Sequence, residues 1–502
     1  MTGTGDKYNF INEKFFLSLL FVVFLSFSLY FFTWFVDDLY IYFRYVNNFI
    51  NGKGIVYNTG EYVEGFSSFI WFLILSVLGF VKLPLEASSK IASLVFAVLA
   101  LLVIYRISKE LIPGIWSLFP VLMTAINLPF VLWSVSGFEI SFYSLMLLLC
   151  YYKIIKIKNN RFDIVSLILI LAVISFTRPE GFIFSFAFLI ALFFFTKGLR
   201  KVFFITLSAY LFLLIGFLLF RFFYFGELLP NTYFAKLGYG IFGYNEIRIY
   251  RFGIIYIMKF FLYNPHFAIL LLYFVFRIKH WEEKNSTLLL LSLILVQFAF
   301  VVYTGGEWME QYRFIVCVIP FISLLSVVTL KDIYERKLSD NMDFRVLYVI
   351  GILFLFVNVY FSDFDSIYRE RILWNKVKDV SVDLKIIIPP NSVVANGSAG
   401  VIPYYLGDVN FIDVIGLTDK YIAKYGKRDD IWFEKYSTDY VFNKNPGWII
   451  LWKRKNEKGD FSTELTSPSF KYIEADKRFS EYSLNKTYVV LEDMKIELFK
   501  KF

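Results

Sequence analysis

The residues best suited to chemistry in this sequence are two adjacent carboxylates, Asp37 and Asp38, which directly follow a long apolar run at 15–36. An aspartate in a bilayer costs about 2.5–3.5 kcal/mol at the centre and less near the surface. Acids at the C-terminal end of a helix also oppose its dipole. One interpretation is that the pair only ends the helix among the lipid headgroups. The doublet, followed by Arg44, favours a functional role, and accepting a proton is the chemistry that a carboxylate offers.

The other candidate residues lie in polar breaks between apolar runs, each next to glycine or proline. They are the acids Glu64, Glu139, Glu180 and Glu307, the amide Asn231, and the cations Arg178, Lys236 and Arg313. Cations in such breaks could hold a phosphate or pyrophosphate group. The alternatives are local ion pairs, such as Arg178 with Glu180, and lysine or arginine side chains that reach towards the membrane surface. Several such breaks on one face favour a shared substrate site.

Other reaction classes and partners find little support. There is no P-loop, G-x-S-x-G or H-E-x-x-H pattern. Two cysteines inside apolar runs imply no disulfide framework, and two histidines cannot form a histidine-rich metal site. Acids on one face could hold a hard divalent cation through oxygen ligands, so the metal requirement stays open. No dense basic tract is present, which argues against nucleic acid as a partner.

The elements that position these residues are membrane helices. The chain is 58% hydrophobic and 19% charged, and it contains 62 phenylalanines. A soluble domain is about half apolar and a quarter charged. About twelve apolar runs lie between 15 and 361, and a span needs roughly 20 such residues. The sequence therefore predicts a polytopic α-helical protein in a lipid bilayer, whose first run is retained as a span rather than cleaved as a signal.

The positions of the lysines and arginines predict the topology. Basic loops at 106–109, 153–161, 197–201, 277–284 and 331–345 are separated by pairs of apolar runs, which places all of them in the cytoplasm. The basic N-terminus agrees with them if the run 66–81 lies along or dips into the outer surface, leaving about eleven spans. The alternative is that 66–81 spans and the N-terminus lies outside. No broken mid-membrane helices are expected from the pattern.

This topology puts the candidate residues outside the cytoplasm, in a multi-pass cell (inner) membrane protein. Residues 1–361 form the predicted membrane domain, with 37–82 as the first outer loop and its juxtamembrane segment. From 362 to 502 the composition becomes more charged and no run is long enough to span. Short β-rich patterns at Lys385–Ile388, Val393–Ala395, Trp448–Trp452 and Tyr488–Glu492 predict a small extracytoplasmic α/β domain.

The polar breaks also carry a resemblance. The segments Asp37-Asp38-Leu-Tyr-Ile-Tyr-Phe-Arg44-Tyr and 52–68 resemble the first outer loop of GT-C glycosyltransferases, the nearest being the terminal arabinofuranosyltransferases of arabinan cell walls. Further matches follow in family order at 136–139, 177–181, 226–232 with Lys236, 305–309 with Arg313, and 416–419. One departure is Glu307, where relatives are expected to have aspartate. The resemblance implies a GT-C fold, an extracytoplasmic C-terminal domain and a polyprenyl-phosphate sugar as donor.

These observations lead to a mechanistic hypothesis. Asp37 or Asp38, the catalytic carboxylate that the resemblance implies, accepts the proton of an acceptor hydroxyl. The hydroxyl attacks the anomeric carbon with inversion, and the prenyl phosphate leaves. The predicted phosphate ligands are Arg44, Arg178, Lys236 and Arg313, and the predicted substrate contacts are Glu64, Glu139, Glu180, Asn231 and Glu307.

Several alternatives stay open at this point. Arabinofuranose is one candidate sugar, and the acceptor is a cell-surface glycan, a lipid or a protein. One rival function is a transporter or flippase of lipid-linked sugars, which would use the outer charges as a gate. The other is a scaffolding membrane protein, which does not explain acids and bases in five separate loops.

Overall fold

A computed structural model describes residues 4–112, 114–157, 161–195, 200–237, 246–278, 284–307, 309, 311–337, 363–429 and 434–502, with a few positions between 349 and 360. The chain forms two compact units, each built from three segments. Unit 1 comprises 1–34, 86–215 and 245–364, and unit 2 comprises 35–85, 216–244 and 365–502. The predicted boundary at 361/362 lies next to the last segment of unit 2. In the structure, the segments 35–85 and 216–244 belong to the same unit as that segment.

Unit 1 is helical. Its helices are Thr4–Tyr30, Leu85–Leu111 (from Glu86 onward), Phe119–Ala125, Leu128–Ser134, Ile140–Lys156, Arg161–Thr177, Gly181–Phe195, most of Arg200–Phe225, Glu246–Tyr263, Pro265–Arg277, Lys284–Thr304, Arg313–Val316 and Ile319–Lys337. A 3₁₀ helix, Gly114–Leu118, precedes the third of them. The largest fully buried side chains of unit 1 include Trp34, Trp133, Tyr143 and Tyr151.

Among the described residues, four helices are long and apolar enough to cross a membrane: Glu13–Tyr30, Leu85–Leu111, Arg200–Phe225 and Asn285–Thr304. Two bent helix pairs raise the number to six if each pair is one span. Three further apolar helices have 10–17 residues. The chain is therefore a helical membrane protein, as predicted. About eleven spans were expected, and the last of the expected runs, 345–361, lies largely outside the described residues.

The two bent pairs correct the expectation of unbroken helices. Trp116–Ala125 and Leu128–Ser134 meet at 65°, and Ile249–Tyr263 and Pro265–Arg277 meet at 106°. Each break contains an asparagine next to a helix that has proline in its first turn. Asn127 accepts a hydrogen bond from the Phe130 N–H, and its Nδ2 donates to Asn264 Oδ1 at 2.8 Å. Proline removes a backbone donor, and the buried amides satisfy groups freed at the breaks.

Unit 2 contains the helices Leu39–Ile50, Phe69–Phe80, the end of Arg200–Phe225, Asn231–Leu237, Phe364–Ile387 (from Asp365 onward), Val401–Leu406, Lys420–Tyr425, Thr438–Asn443 and Pro468–Ala475. Short 3₁₀ helices cover Thr463–Leu465 and Lys477–Glu481. Phe69–Phe80 has 12 residues, about 18 Å of helix. It is too short to cross about 30 Å of hydrocarbon, which agrees with the prediction that 66–81 does not span.

The strands of unit 2 are β1 Val393–Asn396, β2 Asn410–Asp413, β3 Lys427–Arg428, β4 Lys435–Tyr436, β5 Trp448–Lys455, β6 Phe461–Ser462, β7 Tyr482–Leu491 and β8 Met494–Lys501. The main sheet has the order β2-β1-β5-β8-β7, with β6 paired to β5. β1 is parallel to β2 and β5, whereas β8 is antiparallel to β5 and β7. β3 and β4 form a separate antiparallel pair. This confirms the small C-terminal α/β domain.

One predicted strand of this domain is wrong. Lys385–Ile388 belongs to the end of the helix Phe364–Ile387, which buries Val377 and Leu384. The three isoleucines at 386–388 favour a strand locally, but they continue a helix whose burial pattern began twenty residues earlier. Pro389 then ends the helix, because proline disfavours helical backbone in the residue before it.

Close helix packing in unit 1 generates a first prediction. A Cβ added at Gly253 would lie 2.5 Å from Val301 O and 2.6 Å from Val302 Cα on the helix Lys284–Thr304. Gly253→Ala should therefore destabilise the protein by about 1–3 kcal/mol, as overpacking does. Thermal unfolding in detergent measures this. Gly216→Ala is the matched control, since nothing lies within 4 Å of its added Cβ. Equal melting temperatures for the two variants would contradict the packing.

Candidate active site

Asp37 is fixed by a loop that is more than 350 residues away in the chain. Its Oδ1 accepts a hydrogen bond from the Val401 N–H at 2.7 Å. Its Oδ2 accepts from the Gly400 N–H at 3.1 Å and from Ser398 Oγ at 3.0 Å. The residue is 5% exposed. Both oxygens thus serve to hold the turn before the helix Leu39–Ile50 against the segment that follows β1.

Gly400 allows this approach because it has no side chain. A Cβ at this position would lie 2.0 Å from Asp37 O and 2.7 Å from Asp37 Cγ. No rotamer of a larger residue removes a clash with backbone. The contact joins two segments that are far apart in the sequence, and no local pattern around Ser398 or Gly400 predicts it.

The two aspartates have different environments. Asp38 is half-buried, whereas Asp37 is buried. Burial raises the pKa of Asp37 to about 7, and the neighbouring Asp38 charge adds to this, although the Val401, Ser398 and Gly400 donors act to lower it. A base must reach the proton that it accepts. The geometry therefore makes Asp38 the better candidate for the base and Asp37 its support.

Arg44 is surrounded by protein oxygens. Its Nε donates to Tyr57 O at 3.0 Å. Its Nη1 donates to Pro403 O and Gly407 O, and its Nη2 donates to Val409 O and Asn58 Oδ1. All five N–H groups of the guanidinium are thus engaged. The sequence predicts a phosphate ligand at this position, but in the structure Arg44 closes the C-terminal end of the helix Val401–Leu406.

Asn58, in the glycine-rich part of the first outer loop, pairs with the edge strand β2. Its Nδ2 donates to Phe411 O at 2.8 Å, and its Oδ1 accepts from the Phe411 N–H at 3.1 Å. Its side chain thereby bonds both main-chain groups of one residue, as a further strand would. The loop is therefore an ordered part of unit 2.

Glu64 and Asn231 connect three of the predicted motifs. Glu64 Oε1 forms a buried ion pair with Arg221 Nη2 at 3.0 Å, and Glu64 O accepts from the Asn231 N–H at 2.9 Å. Asn231 Nδ2 donates to Gly416 O at 2.9 Å and to Leu417 O at 3.0 Å. Hydrogen bonds to main-chain oxygens thus connect the segments 52–68, 226–232 and 416–419. Arg221 was missed because it lies inside an apolar run.

Asp413, at the end of β2, shapes the motif 416–419. Its Oδ2 accepts from the Thr418 N–H at 2.7 Å and from Thr418 Oγ1 at 3.1 Å, and its Oδ1 accepts from the N–H groups of Ile415 and Gly416. Asp413 is fully buried. A single aspartate in a β-rich stretch gives no local signal of this role.

Lys236 lies on the short helix Asn231–Leu237 and is exposed. The preceding loop is fixed to the C-terminal segment, since Glu227 forms ion pairs with Lys420 and Lys424. Among the predicted phosphate ligands of unit 2, Lys236 is thus the exposed one and Arg44 the buried one.

Unit 1 contains a buried arginine with two glutamates. Arg178 Nη1 lies 2.6 Å from Glu139 Oε1, and Arg178 Nε lies 2.5 Å from Glu180 Oε1. Both glutamate side chains are 1% exposed. The Oε2 atoms of Glu139 and Glu180 are buried without a hydrogen-bond partner. The structure therefore brings together three residues that the sequence placed in two loops.

Arg313 pairs with Glu307, the residue that departs from the family pattern. Glu307 Oε2 accepts from Arg313 Nε at 2.8 Å and from Nη2 at 2.5 Å. The preceding residues Gln311 and Tyr312 both have left-handed backbone, with φ of 61° and 55°. Such strain costs about 1–3 kcal/mol per residue, and the Trp133 indole N–H offsets part of it by donating to Gln311 O at 3.0 Å. The neighbouring Trp308 lies outside the described residues.

The two arginine groups of unit 1 share one aromatic ring. The guanidinium carbons of Arg178 and Arg313 lie 5.4 and 5.6 Å from the Phe314 ring centroid. The paired glutamates Glu139, Glu180 and Glu307 outnumber the two arginines, so this group carries a formal charge of −1. A phosphate at Arg178 or Arg313 would compete with a glutamate for the guanidinium. Within the described part of the chain, no group of three or more His, Cys, Asp or Glu is arranged to hold a metal ion.

Comparison with known proteins identifies the fold. Residues 369–499 match a family model described as a domain of unknown function (DUF8728). No curated protein matches the sequence. The fold is that of the GT-C membrane glycosyltransferases, with a small C-terminal α/β domain, as the sequence predicted.

Two solved GT-C structures establish this. The chain is similar to ArnT from Cupriavidus metallidurans bound to undecaprenyl phosphate, with a TM-score of 0.60 and 12% identity over 95% of this chain and 97% of that one. It is also similar to the Archaeoglobus fulgidus oligosaccharyltransferase in complex with Zn and sulfate. There the TM-score is 0.55 and the identity 13%, over 88% of this chain and 72% of the other.

The contact between Gly400 and Asp37 yields a second prediction. Gly400→Ala should destabilise the protein by about 1–3 kcal/mol or more, because the methyl group meets backbone. Thermal unfolding in detergent measures the loss, and limited proteolysis locates it in unit 2. Gly447→Ala is the control, since its nearest atom would be Val393 O at 3.9 Å. Unchanged stability of Gly400→Ala would show that Asp37 and the 398–401 loop are not in contact.

Four carboxyls of unit 2, three of them buried and that of Glu434 half-buried, generate a prediction about pH. Burial raises the pKa of Asp37, Glu64 and Glu434 to about 7 and that of Asp413 to about 6. The native state therefore binds more protons than the unfolded state between about pH 4 and 7, so the free energy of unfolding should fall as pH rises through this window. Melting temperatures from pH 5 to 8 test this.

Glu434→Gln supplies the control for that experiment. Glutamine can still accept the hydrogen bond from Ser467 Oγ, but it does not titrate. The decline in melting temperature with pH should become shallower in this variant. A stability that rises between pH 5 and 7 in the wild type would contradict the assignment.

Proposed function

We propose that this protein is a glycosyltransferase that moves a sugar from a polyprenyl-phosphate donor to a hydroxyl group of a cell-surface glycan, lipid or protein. The observation that supports this most strongly is the aspartate doublet, which sits on a GT-C fold and is held in place by the C-terminal domain. The ArnT structure named above contains undecaprenyl phosphate, which supports a lipid-linked donor for this chain too. We propose arabinofuranose as the first sugar to test, because the outer-loop motifs resemble terminal arabinofuranosyltransferases.

We assign the base to Asp38. It accepts the proton of the acceptor hydroxyl while the oxygen bonds to the anomeric carbon. The bond from that carbon to the phosphate oxygen breaks, and the polyprenyl phosphate leaves with the electron pair. Attack opposite the leaving group inverts the configuration. Asp37 acts as a positioning residue, because its three hydrogen bonds fix the turn that presents Asp38.

The phosphate requires cations that can reach it. We propose Lys236 as a phosphate ligand, since its side chain is exposed. Arg44 is given a structural role, because its five N–H groups are engaged. For Arg178 and Arg313 phosphate binding stays a prediction, in which the phosphate competes with a glutamate for the guanidinium. Glu64 and Asn231 connect motifs, so we propose that they shape the site rather than contact the sugar directly.

A second candidate function is a transporter or flippase of lipid-linked sugars. The observation that favours it is the pair of bent helices in unit 1, joined by the hydrogen bond from Asn127 to Asn264. Transporters use discontinuous helices near the middle of the membrane. A flippase would exchange lipid-linked sugar between leaflets without cleaving the sugar–phosphate bond. The two functions therefore differ in their products.

The base assignment gives the fourth prediction. Asp38→Asn should fold and bind donor but lose transfer by about 10²–10⁴-fold, the usual contribution of a general base. Purified protein in liposomes with radiolabelled polyprenyl-phosphate sugar and acceptor measures this. Asp37→Asn should lower both transfer and melting temperature, since an amide cannot accept all three hydrogen bonds. Normal transfer by Asp38→Asn would refute the assignment, and leaflet exchange without transfer would favour the flippase.

The donor sugar and acceptor need a second measurement. Surface glycans and lipids of a deletion strain should lack one terminal sugar that a plasmid copy restores. A plasmid carrying Asp38→Asn should not restore it. If the plasmid with Asp38→Asn restored the missing sugar, the cellular role of the protein would not depend on glycosyl transfer with Asp38 as the base.

A further inference from the structure

Lys378 is a cation that lies beside the aspartate doublet, although no sequence motif includes it. It lies on the helix Phe364–Ile387 in unit 2. Its Nζ is 4.0 Å from the centroid of the Phe35 ring and 5.6 Å from that of Tyr40. Phe35 precedes the doublet by two residues, and Tyr40 follows it by two. The ammonium group thus lies over the two rings that bracket Asp37 and Asp38.

These rings close the turn that carries the doublet. Phe35 and Tyr40 are buried, and their centroids are 5.5 Å apart. The Tyr40 N–H donates to Asp37 O at 2.9 Å, so the turn is tight. Tyr40 also packs on Tyr404, which follows the loop that holds Asp37. The cation therefore belongs to the same corner of unit 2 as both carboxylates.

The position of Lys378 on its helix is unusual for a lysine. It lies four residues after Trp374 and three before Ser381, both of which are buried, so it shares their face of the helix. Lys376 and Asp379, on other faces, are exposed. A half-buried ammonium loses part of its hydration, and the two ring faces compensate for that loss only in part. Asp37 and Asp38 lie between these two rings in the sequence, so their carboxylates belong to the same turn as the rings.

We propose that Lys378 is a positioning residue for the base, which keeps the neighbouring carboxylate ionised and aimed at the acceptor. This rests on the function proposed above. The charged groups at this corner are Asp37, Asp38 and Lys378, and the phenol groups are those of Tyr40, Tyr404 and Tyr405. A positive charge within a few ångströms favours the ionised form of a carboxylate. The base then stays ready to accept a proton at lower pH.

Two substitutions separate charge from packing. Lys378→Met keeps a flexible apolar chain over the rings but removes the charge, and Lys378→Arg keeps both. Lys378→Met should lose about tenfold or more in kcat, and the acidic limb of its pH–rate profile should move up by about one unit or more. Lys378→Arg should restore most of the activity and the wild-type profile. Lys376→Met, an exposed position on the same helix, should change neither.

The measurement is transfer of labelled sugar by full-length protein in liposomes across pH 5 to 9, beside wild type and Asp38→Asn. Melting temperatures show whether each variant is folded. Wild-type activity and an unshifted acidic limb in Lys378→Met would overturn this inference and leave the proposed function intact. An unfolded Lys378→Met together with a fully active, unshifted Lys378→Gln would overturn it as well. Absence of transfer by the wild type, or full transfer by Asp38→Asn, would overturn the proposed function and this inference with it.

Discussion

The structure of unit 2 depends on a buried carboxylate, that of Asp37, whose oxygens accept three hydrogen bonds from Ser398, Gly400 and Val401. A buried charge is tolerated only when its hydrogen bonds are made. The segment 35–85 and the C-terminal segment are thereby fixed to each other. Arg44 and Asn58 extend the same connection to the carbonyls at 403–409 and to Phe411. The turn that carries the aspartate doublet is thereby attached to the α/β domain.

The basic residues differ in how many protein oxygens surround them. Five donors of Arg44 face five protein oxygens. In unit 1, Arg178 and Arg313 each pair with glutamate. The number of carboxylates in this group is three, and the number of guanidiniums is two. Removing one partner of such a buried ion pair strongly destabilises a protein, so these residues contribute to the stability of unit 1. Lys236 is exposed and Lys378 is half-buried, and we therefore propose roles in the reaction for these two.

Much of the fold was readable from local patterns. Hydrophobic runs predicted a helical membrane protein, and turn signals with short apolar segments predicted the C-terminal domain, where β1, β5 and β7 lie at or near the expected positions. The bends at Asn127 and Asn264 were not expected, because the apolar runs continue through them. The strand predicted at Lys385–Ile388 is wrong for a related reason. Three consecutive isoleucines favour a strand by local propensity, and that propensity does not reveal that they continue a helix.

The sequence by itself determined the membrane class, the candidate motifs and their order along the chain, since composition and spacing are local properties. It also singled out the aspartate doublet as the place for chemistry. Only the tertiary structure showed that Asp37 and Asp38 have different environments. It also showed that Arg44 donates hydrogen bonds at the end of a helix and that Lys378 and Arg221 lie beside the motifs. These roles depend on partners tens to hundreds of residues away. A side chain's chemistry follows from which donors, acceptors and charges surround it after folding, and spacing along the chain does not contain that information.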